Sequence, residues 1–324
     1  MQSILRAAIL ALFAGLPNAH VAADPLPLSA QAVELDPDAP ERTRVGRLAW
    51  RGGLELSSPE ARFGGLSGLL VAPDGSEITA VTDKGFRVSA RLTYDDAGRL
   101  LGVTGGRIAP LDGLDGAPLR RRWDRDAESL ARLADGSVVV AFEHNHRLWR
   151  YPAGARPLAG TPAPLPAPPG LRAAGGNSGV EALVGLGDGA LLAIVEGRTE
   201  DRQSPAYLRR GGAWSGLRYR RSGAFRPTGA ARLPGGGALV IERRFNAVQG
   251  IAIRLRRLPA AAIRPGATLD GEALAVLEPP LTVDNFEGVA VRRGANGETL
   301  IYLVSDDNFN PLQRTLLVLF ALAE

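Results

Sequence analysis

Short apolar runs alternate along the chain with Gly- and Asp-rich punctuation, and one arrangement of the two recurs five times. Each copy has a polar or acidic residue opening an apolar run, a turn with glycine, a second apolar run and a closing polar pair. The first copy reads Leu66-Ser67-Gly68-Leu69-Leu70-Val71, turns at Pro73-Asp74-Gly75, and passes through Ile78 to Thr82 into Asp83-Lys84-Gly85. The second is Ala127-Glu128-Ser129-Leu130, Asp135-Gly136, Val138 to Phe142, then Glu143-His144. A third comprises Val180-Glu181-Ala182-Leu183, Asp188-Gly189, Leu191 to Val195 and Glu196-Gly197-Arg198. The fourth is weaker, with Pro227-Thr228-Gly229-Ala230, Gly235-Gly236-Gly237, Leu239 to Ile241 and Glu242-Arg243. The last is Phe286-Glu287-Gly288-Val289, Asn296-Gly297, Leu300 to Val304 and Ser305-Asp306-Asp307-Asn308.

Asp-Gly and Asn-Gly between apolar runs signal hairpins, because both residues tolerate positive φ. Further strand-like runs follow each hairpin, such as Gly250 to Leu258 and Glu272 to Leu277 in the fourth unit. Units of about 50 residues with four short strands fit propeller blades. Second strands such as Val138-Val139-Val140-Ala141-Phe142 are continuously apolar, as strands covered on both faces should be. The expected fold is therefore an all-β propeller of five four-stranded blades, with six as the alternative if a loop hides an irregular one. The apolar end Leu316 to Leu322 would be hazardous as a free edge. Val45 to Leu56 has no hairpin partner of its own, so the two ends are expected to pair and close the ring. Pro152 to Gly176, rich in Pro, Ala and Gly, reads as a surface excursion.

Residues 1–23 have the layout of a signal peptide: Arg6, an apolar run from Ala7 to Leu16, and small residues at Val21-Ala22-Ala23. The run is about half the ~20 residues of a membrane span, and no later segment reaches that length uncharged. Periplasmic or secreted localisation without a transmembrane anchor follows as an expectation. Residues 24–44 form a Pro-rich leader and 45–324 one propeller domain. With no Cys in the chain, disulfides and a lipid-modified cysteine are excluded. Net charge is +4, falling by one on loss of Arg6, and Lys84 is the sole lysine. Basic residues are scattered among acids, so nucleic acid is not an expected partner. A monomer is expected.

Chemistry is concentrated by the repeat itself. In an antiparallel hairpin the residue entering the first strand lies beside the one leaving the second. With first strands innermost, Ser67, Asp83 and Lys84, Glu128 with Glu143 and His144, Glu181 with Glu196 and Arg198, Thr228 with Glu242 and Arg243, and Glu287 with Asp306 and Asp307 all meet at one channel mouth. Asp126 and Asn285 would join them. Like charges about 4 Å apart repel by roughly 4 kcal/mol at an effective dielectric near 20. Local cations or a hard ion such as Ca²⁺, which takes six to eight oxygen ligands, would relieve that repulsion. Individually, such acids also cap turns or pair between blades. His144 and His146 are expected to alternate in a strand, which argues against a zinc site built from both. Gly65-Leu66-Ser67-Gly68-Leu69 lacks the final glycine of a nucleophile elbow, and no Walker, Rossmann or Cys/His metal motif occurs.

The stretches Phe63 to Leu69, Asp83-Lys84-Gly85, Asn285 to Val289 and Ser305 to Phe309, with Gln313-Arg314-Thr315-Leu316-Leu317 closing the pattern, resemble the bacterial phytase-like family, "esterase-like activity of phytase". The resemblance runs from about Arg47 to Leu322. It implies an exported propeller with hydrolysis of phosphate or other esters. The fourth unit departs from it, because Pro227-Thr228-Gly229 replaces an acidic start.

Taken together, the leading expectation is a metal-assisted phosphoesterase. Asp83, Glu128, Glu181, Glu287, Asp306 and Asp307 would hold Ca²⁺ or a similar ion, and Lys84, Arg198 and Arg243 would bind a small anionic ligand or phosphate ester. The competing readings are a non-catalytic binding propeller of the envelope and a calcium-dependent lactonase-like hydrolase.

Overall fold

The punctuation closes hairpins as its chemistry requires: Gly75, Gly136, Gly189 and Gly297, each at a turn between inner strands, all have positive φ. The computed structural model describes residues 22–171, 175, 178–197 and 201–323. Each of the five hairpins supplies the two inner strands of one blade. Inner strands are Leu66–Val71, Ala127–Arg132, Val180–Gly185, Arg226–Arg232 and Phe286–Arg293, here taken as belonging to blades 1 to 5. Contacts between them run from blade 1 through blade 5 and back to blade 1, so the ring is closed with five blades and the six-bladed alternative falls.

Blade 4 is the simplest, with Arg226–Arg232, Ala238–Asn246, Gly250–Leu258 and Glu272–Leu277 in sheet order. Blade 2 keeps the same four-stranded frame, and blades 1, 3 and 5 add strands to it from distant sequence. In blade 1, Asp24–Pro25 pairs outside Leu100–Pro110. In blade 3, Thr268–Leu269 runs parallel to Ala213–Arg220. The segment read as a surface excursion contributes Ala163–Leu165, the outermost strand of blade 2, paired with Arg147–Tyr151. Three residues carry too little periodicity to be read as a strand, and the register comes from the neighbour. Only short 3₁₀ turns interrupt the strands among the described residues, at Arg122–Asp124 and Ala260–Ala262. None of the described helices is long and apolar enough to cross a membrane.

Blade 5 closes the ring. Thr315–Leu322 from the C-terminal end lies between Thr299–Ser305 and Leu48–Ser57 from the N-terminal side, and Ser29–Val33 covers the outer edge. All but its last residue are buried, which an apolar strand achieves only with neighbours on both edges and both faces. Phe320 packs edge-on against Trp50 at 5.1 Å between centroids.

The core is distributed over the five gaps between blades rather than gathered in one place. Leu54, Leu66 and Tyr302 belong to the gap between blades 5 and 1, and Leu239, Ile253, Ile301 and Phe320 to that between blades 4 and 5. The fully buried second strands Val138–Phe142 and Leu191–Val195 fill gaps on both their faces. Because closure depends on blade 5, Phe320→Ala is expected to cost about 3–5 kcal/mol in urea unfolding. Leu312→Ala, at a side chain 89% exposed, should stay within about 0.5 kcal/mol. Equal effects would contradict this closure.

Candidate functional site

Every inner hairpin carries an irregularity at the same place. Pairing slips between Leu66 and Leu69, between Val180 and Ala182, between Pro227 and Gly229, and between Phe286 and Gly288; in blade 2 the slip lies between Ala141 and Phe142, opposite Glu128. Ser67, Glu128, Glu181, Thr228 and Glu287 are therefore the residues at five bulges. A bulge leaves its extra residue outside the ladder and re-aims the side chain. Each is followed by a small residue, Gly68, Ser129, Ala182, Gly229 or Gly288. A Cβ on Gly229 would collide with the Glu287 carbonyl, and one on Gly288 with the Ser67 carbonyl. Ser129 Oγ donates instead to the Val180 carbonyl at 2.5 Å, and Thr228 Oγ1 to that of Phe286 at 3.0 Å.

The second strand of each hairpin delivers the partner residue. A repeated amide bond fixes it: Asp83 N donates to Gly65 O, Glu143 N to Asp126 O, Glu196 N to Gly179 O and Asp306 N to Asn285 O, at 2.8–3.2 Å. In blade 4 the register places Arg243 at this position, opposite Arg226. Glu242, expected at the mouth, is one residue out of phase and fully buried. It accepts from Tyr219 Oη at 2.9 Å and from Arg254 Nε at 2.5 Å. A shift of one residue moves a strand side chain to the opposite face.

Blades 1, 2, 3 and 5 thus bring Asp83, Asp126, Glu128, Glu143, Glu181, Glu196, Glu287 and Asp306 together, while blade 4 brings Arg226 and Arg243. Arg243 donates to Asn285 Oδ1 and reaches Glu287 Oε1 at 3.4 Å, and Arg226 pairs with Glu196 at 2.9 Å. The remaining acids have little cationic help. Burial, then the neighbouring Glu181 and Glu287, pushes Glu128 well above the usual carboxylate range. Burial followed by Glu143 does the same to Glu181, and burial raises Glu287 against the opposing pull of Arg243. Asp83 is pushed up to about 7 by burial and by Asp306 and Asp126, and Asp306 to about 8 by burial and Glu287. Burial and mutual repulsion across blades thus act on these carboxyls together.

A cation fits this donor set. Asp83 Oδ1 is buried with no hydrogen-bond partner among the described residues. One ligand atom from each of Asp126, Glu143 and His144 lies within 4.8 Å of the others. Carboxylate oxygens with one imidazole suit a hard or borderline divalent ion. His144 reaches the site because residues 143–146 form a turn, with His144 at φ 54°, where alternation in a strand was expected. Its Nε2 lies 3.0 Å from Asp126 Oδ2 and its ring meets Trp123 edge-on. His146 is buried, with Nε2 2.9 Å from the Gly175 carbonyl, as a structural histidine would be.

Two other expected site residues make contacts beside this cluster. Lys84 Nζ sits over the Phe309 ring, 2.8 Å from its centroid. Asp307 accepts from Gly65 N and Phe309 N through Oδ1 and from Thr315 Oγ1 through Oδ2, so its carboxylate ties blade 5 to blade 1. Asn308 and Phe309 both hold positive φ in this loop, a strained conformation of the kind found beside functional sites. Arg198 lies outside the described residues. Arg226 was missed in the sequence because the weak fourth repeat hides its alignment with Asp126 and Asn285.

The chain belongs to the phytase-like family described as "esterase-like activity of phytase", which matches residues 61–309. No curated protein matches it. Among solved structures it is similar to an α-L-arabinofuranosidase from Podospora anserina, with TM-score 0.52, 12% identity and coverage of 85% of this chain and 97% of that one. A gluconolactonase-like protein aligns with TM-score 0.43 and 14% identity over 93% of this chain and 97% of its own. An aldose sugar dehydrogenase from Streptomyces coelicolor aligns with TM-score 0.43 and 13% identity over 92% and 99%. At these identities the likeness concerns the fold alone.

The raised carboxyls fix the sign of a pH effect. A carboxyl with folded pKa above its unfolded value binds extra protons in the native state, so its contribution is full at low pH and is lost as pH rises through the folded value. In EDTA, the melting temperature is expected to fall between about pH 4 and pH 8, the window set by Asp83 and Asp306. Added Ca²⁺ should flatten that fall. A melting temperature that climbs across this window in EDTA would contradict the electrostatic picture.

Proposed function

We propose that the chain is an exported, monomeric hydrolase of phosphate esters that works at the acidic mouth with Ca²⁺ or a similar hard cation. The observation carrying this reading is the division of charge around the ring, with carboxylates on blades 1, 2, 3 and 5 facing Arg226 and Arg243 on blade 4. A phosphate ester meets repulsion from the acids unless a cation stands between them, whereas guanidinium groups offer it forked, charge-assisted hydrogen bonds.

Asp126, Glu143 and His144, whose ligand atoms lie within 4.8 Å of one another, would hold the ion, with Asp83, Glu128, Glu181, Glu287 and Asp306 as the surrounding carboxylates whose repulsion it relieves. When bound, such an ion neutralises phosphoryl oxygens and acidifies the attacking water. Arg243 exchanges its bonds to Asn285 and Glu287 for the ester oxygens, and Arg226 adds a second positive charge from the same blade. Arg198 is a further phosphate contact in this reading. Asp83, held at about 7 and with one buried oxygen free of hydrogen bonds among the described residues, takes up the proton of the water as the bond from phosphorus to the ester oxygen breaks, and the departing alcohol oxygen receives that proton. Lys84 and Asp307 position the Phe309 loop and take no part in ligation, in place of the roles first expected for them. Residues 1–23 would direct export to the periplasm or medium.

The purified mature protein should turn over p-nitrophenyl phosphate or its bis-ester with Ca²⁺, lose this activity in EDTA and regain it when Ca²⁺ is restored. Arg243→Gln should lower kcat/KM about tenfold or more with folding intact. No turnover of either ester under any metal condition, with the protein folded, would replace this reading by that of a binding propeller.

A further inference from the structure

The inner strands continue past the acidic mouth, and the other end of the channel has opposite chemistry. Below the bulges lies a buried apolar belt of Leu69, Leu130, Leu183, Ala230 and Val289, one residue from each blade. This belt is part of the lining of a cavity of about 580 Å³ to which all five inner strands contribute. That volume lies within the usual range for small-molecule sites, roughly 300–1,000 Å³. Its walls are aliphatic and its charged residues are Arg132, Arg232, Arg292 and Arg293, with no acid among the lining residues.

These guanidinium groups differ in how far they are engaged. Arg292 Nε donates to Tyr302 Oη at 2.9 Å, its NH1 donates to the Arg293 carbonyl, and Asp74 lies near enough to feel its charge. Arg293 is tied to the Gly297 carbonyl. Arg132 is half-buried and burial lowers its pKa, while Asp74 and Glu77 line only the adjoining hollow that it borders and not this cavity. Arg232 extends from blade 4 across Gly187 of blade 3, where a Cβ would strike its guanidinium. A half-buried cation in an aliphatic wall is costly unless something negative meets it.

We propose that this mouth is a second binding site, separate from the acidic one, for a small amphipathic anion with an apolar body and a carboxylate-like head. The aliphatic walls take the body, and Arg132 and Arg232 take the head through charge-assisted hydrogen bonds. An inorganic anion leaves the walls unfilled, and a neutral chain leaves the guanidinium groups unpaired. The site does not depend on how the acidic mouth is used, because none of the acidic-mouth residues lines this cavity.

Decanoate is the probe, titrated calorimetrically into the full mature protein in EDTA, with decanol and sulfate as comparison ligands. Saturable one-to-one binding of decanoate, tighter than either comparison ligand by about tenfold or more, is expected. Arg232→Gln, at an exposed side chain, should weaken it about tenfold, and Arg132→Gln with Arg232→Gln should weaken it further. Leu186→Trp, which takes up cavity volume while leaving every arginine in place, should also weaken it, with melting temperature reporting folding for each variant. Glu287→Gln at the acidic mouth should leave decanoate binding unchanged, which separates this site from the proposed hydrolase site. Absence of saturable binding, equal binding of decanol, or indifference to the Arg232 substitution would overturn the proposal.

Discussion

Everything at this channel depends on how closely five inner strands approach one another. Gly229 meets the carbonyl of Glu287, and Gly288 that of Ser67, with no room for a Cβ. Ser129, at the same place in blade 2, turns the closeness into a hydrogen bond with Val180 O. The bulge preceding each small residue sets the bulge residue apart from the ladder. Ring closure and site construction are thus one constraint. The same irregularity that lets the strands pack also concentrates Glu128, Glu181 and Glu287 about the axis.

Such a concentration is unfavourable by itself, and the molecule meets it in two ways. Blade 4 substitutes Arg226 and Arg243 for the acids of the other blades, pairing with Glu196 and Glu287. The acids left over are driven toward protonation, Asp83 and Asp306 reaching about 7 and 8. A divalent cation would do the same work without protons. That equivalence connects the electrostatics of the channel to the proposed chemistry, and in that reading the weak fourth repeat is what supplies the positive side of the mouth.

Much of this was legible in the sequence because hairpin chemistry is local. Asp-Gly and Asn-Gly placed the turns, the repeat placed the blades, and the unpartnered run Val45 to Leu56 together with Leu316 to Leu322 pointed to closure in blade 5. What was not legible depended on register. Glu242 and Arg243 are adjacent, and only the pairing of Arg226 with Arg243 decides that the arginine faces the mouth while the glutamate is buried with Tyr219. His144 was read as alternating with His146 in a strand, yet a turn over 143–146 brings it to Asp126. Ala163–Leu165 is a strand through its neighbour rather than its composition. Lys84 and Asp307 have the charge of site residues, but their partners, the Phe309 ring and the donors around Gly65, come from 242 to 225 residues away in sequence or from the loop itself.

The central claim is that a cation replaces protons at the acidic mouth, and proton-linked calorimetry tests it most directly. Ca²⁺ is titrated into the EDTA-stripped, dialysed protein near pH 6.5 in buffers of different ionisation enthalpy. The account predicts saturable binding with release of about one proton or more, because ligands must be deprotonated to bind. Release should fall away by about pH 9, where the carboxyls are already ionised. Binding with no proton release near pH 6.5, or no binding at all, would contradict it.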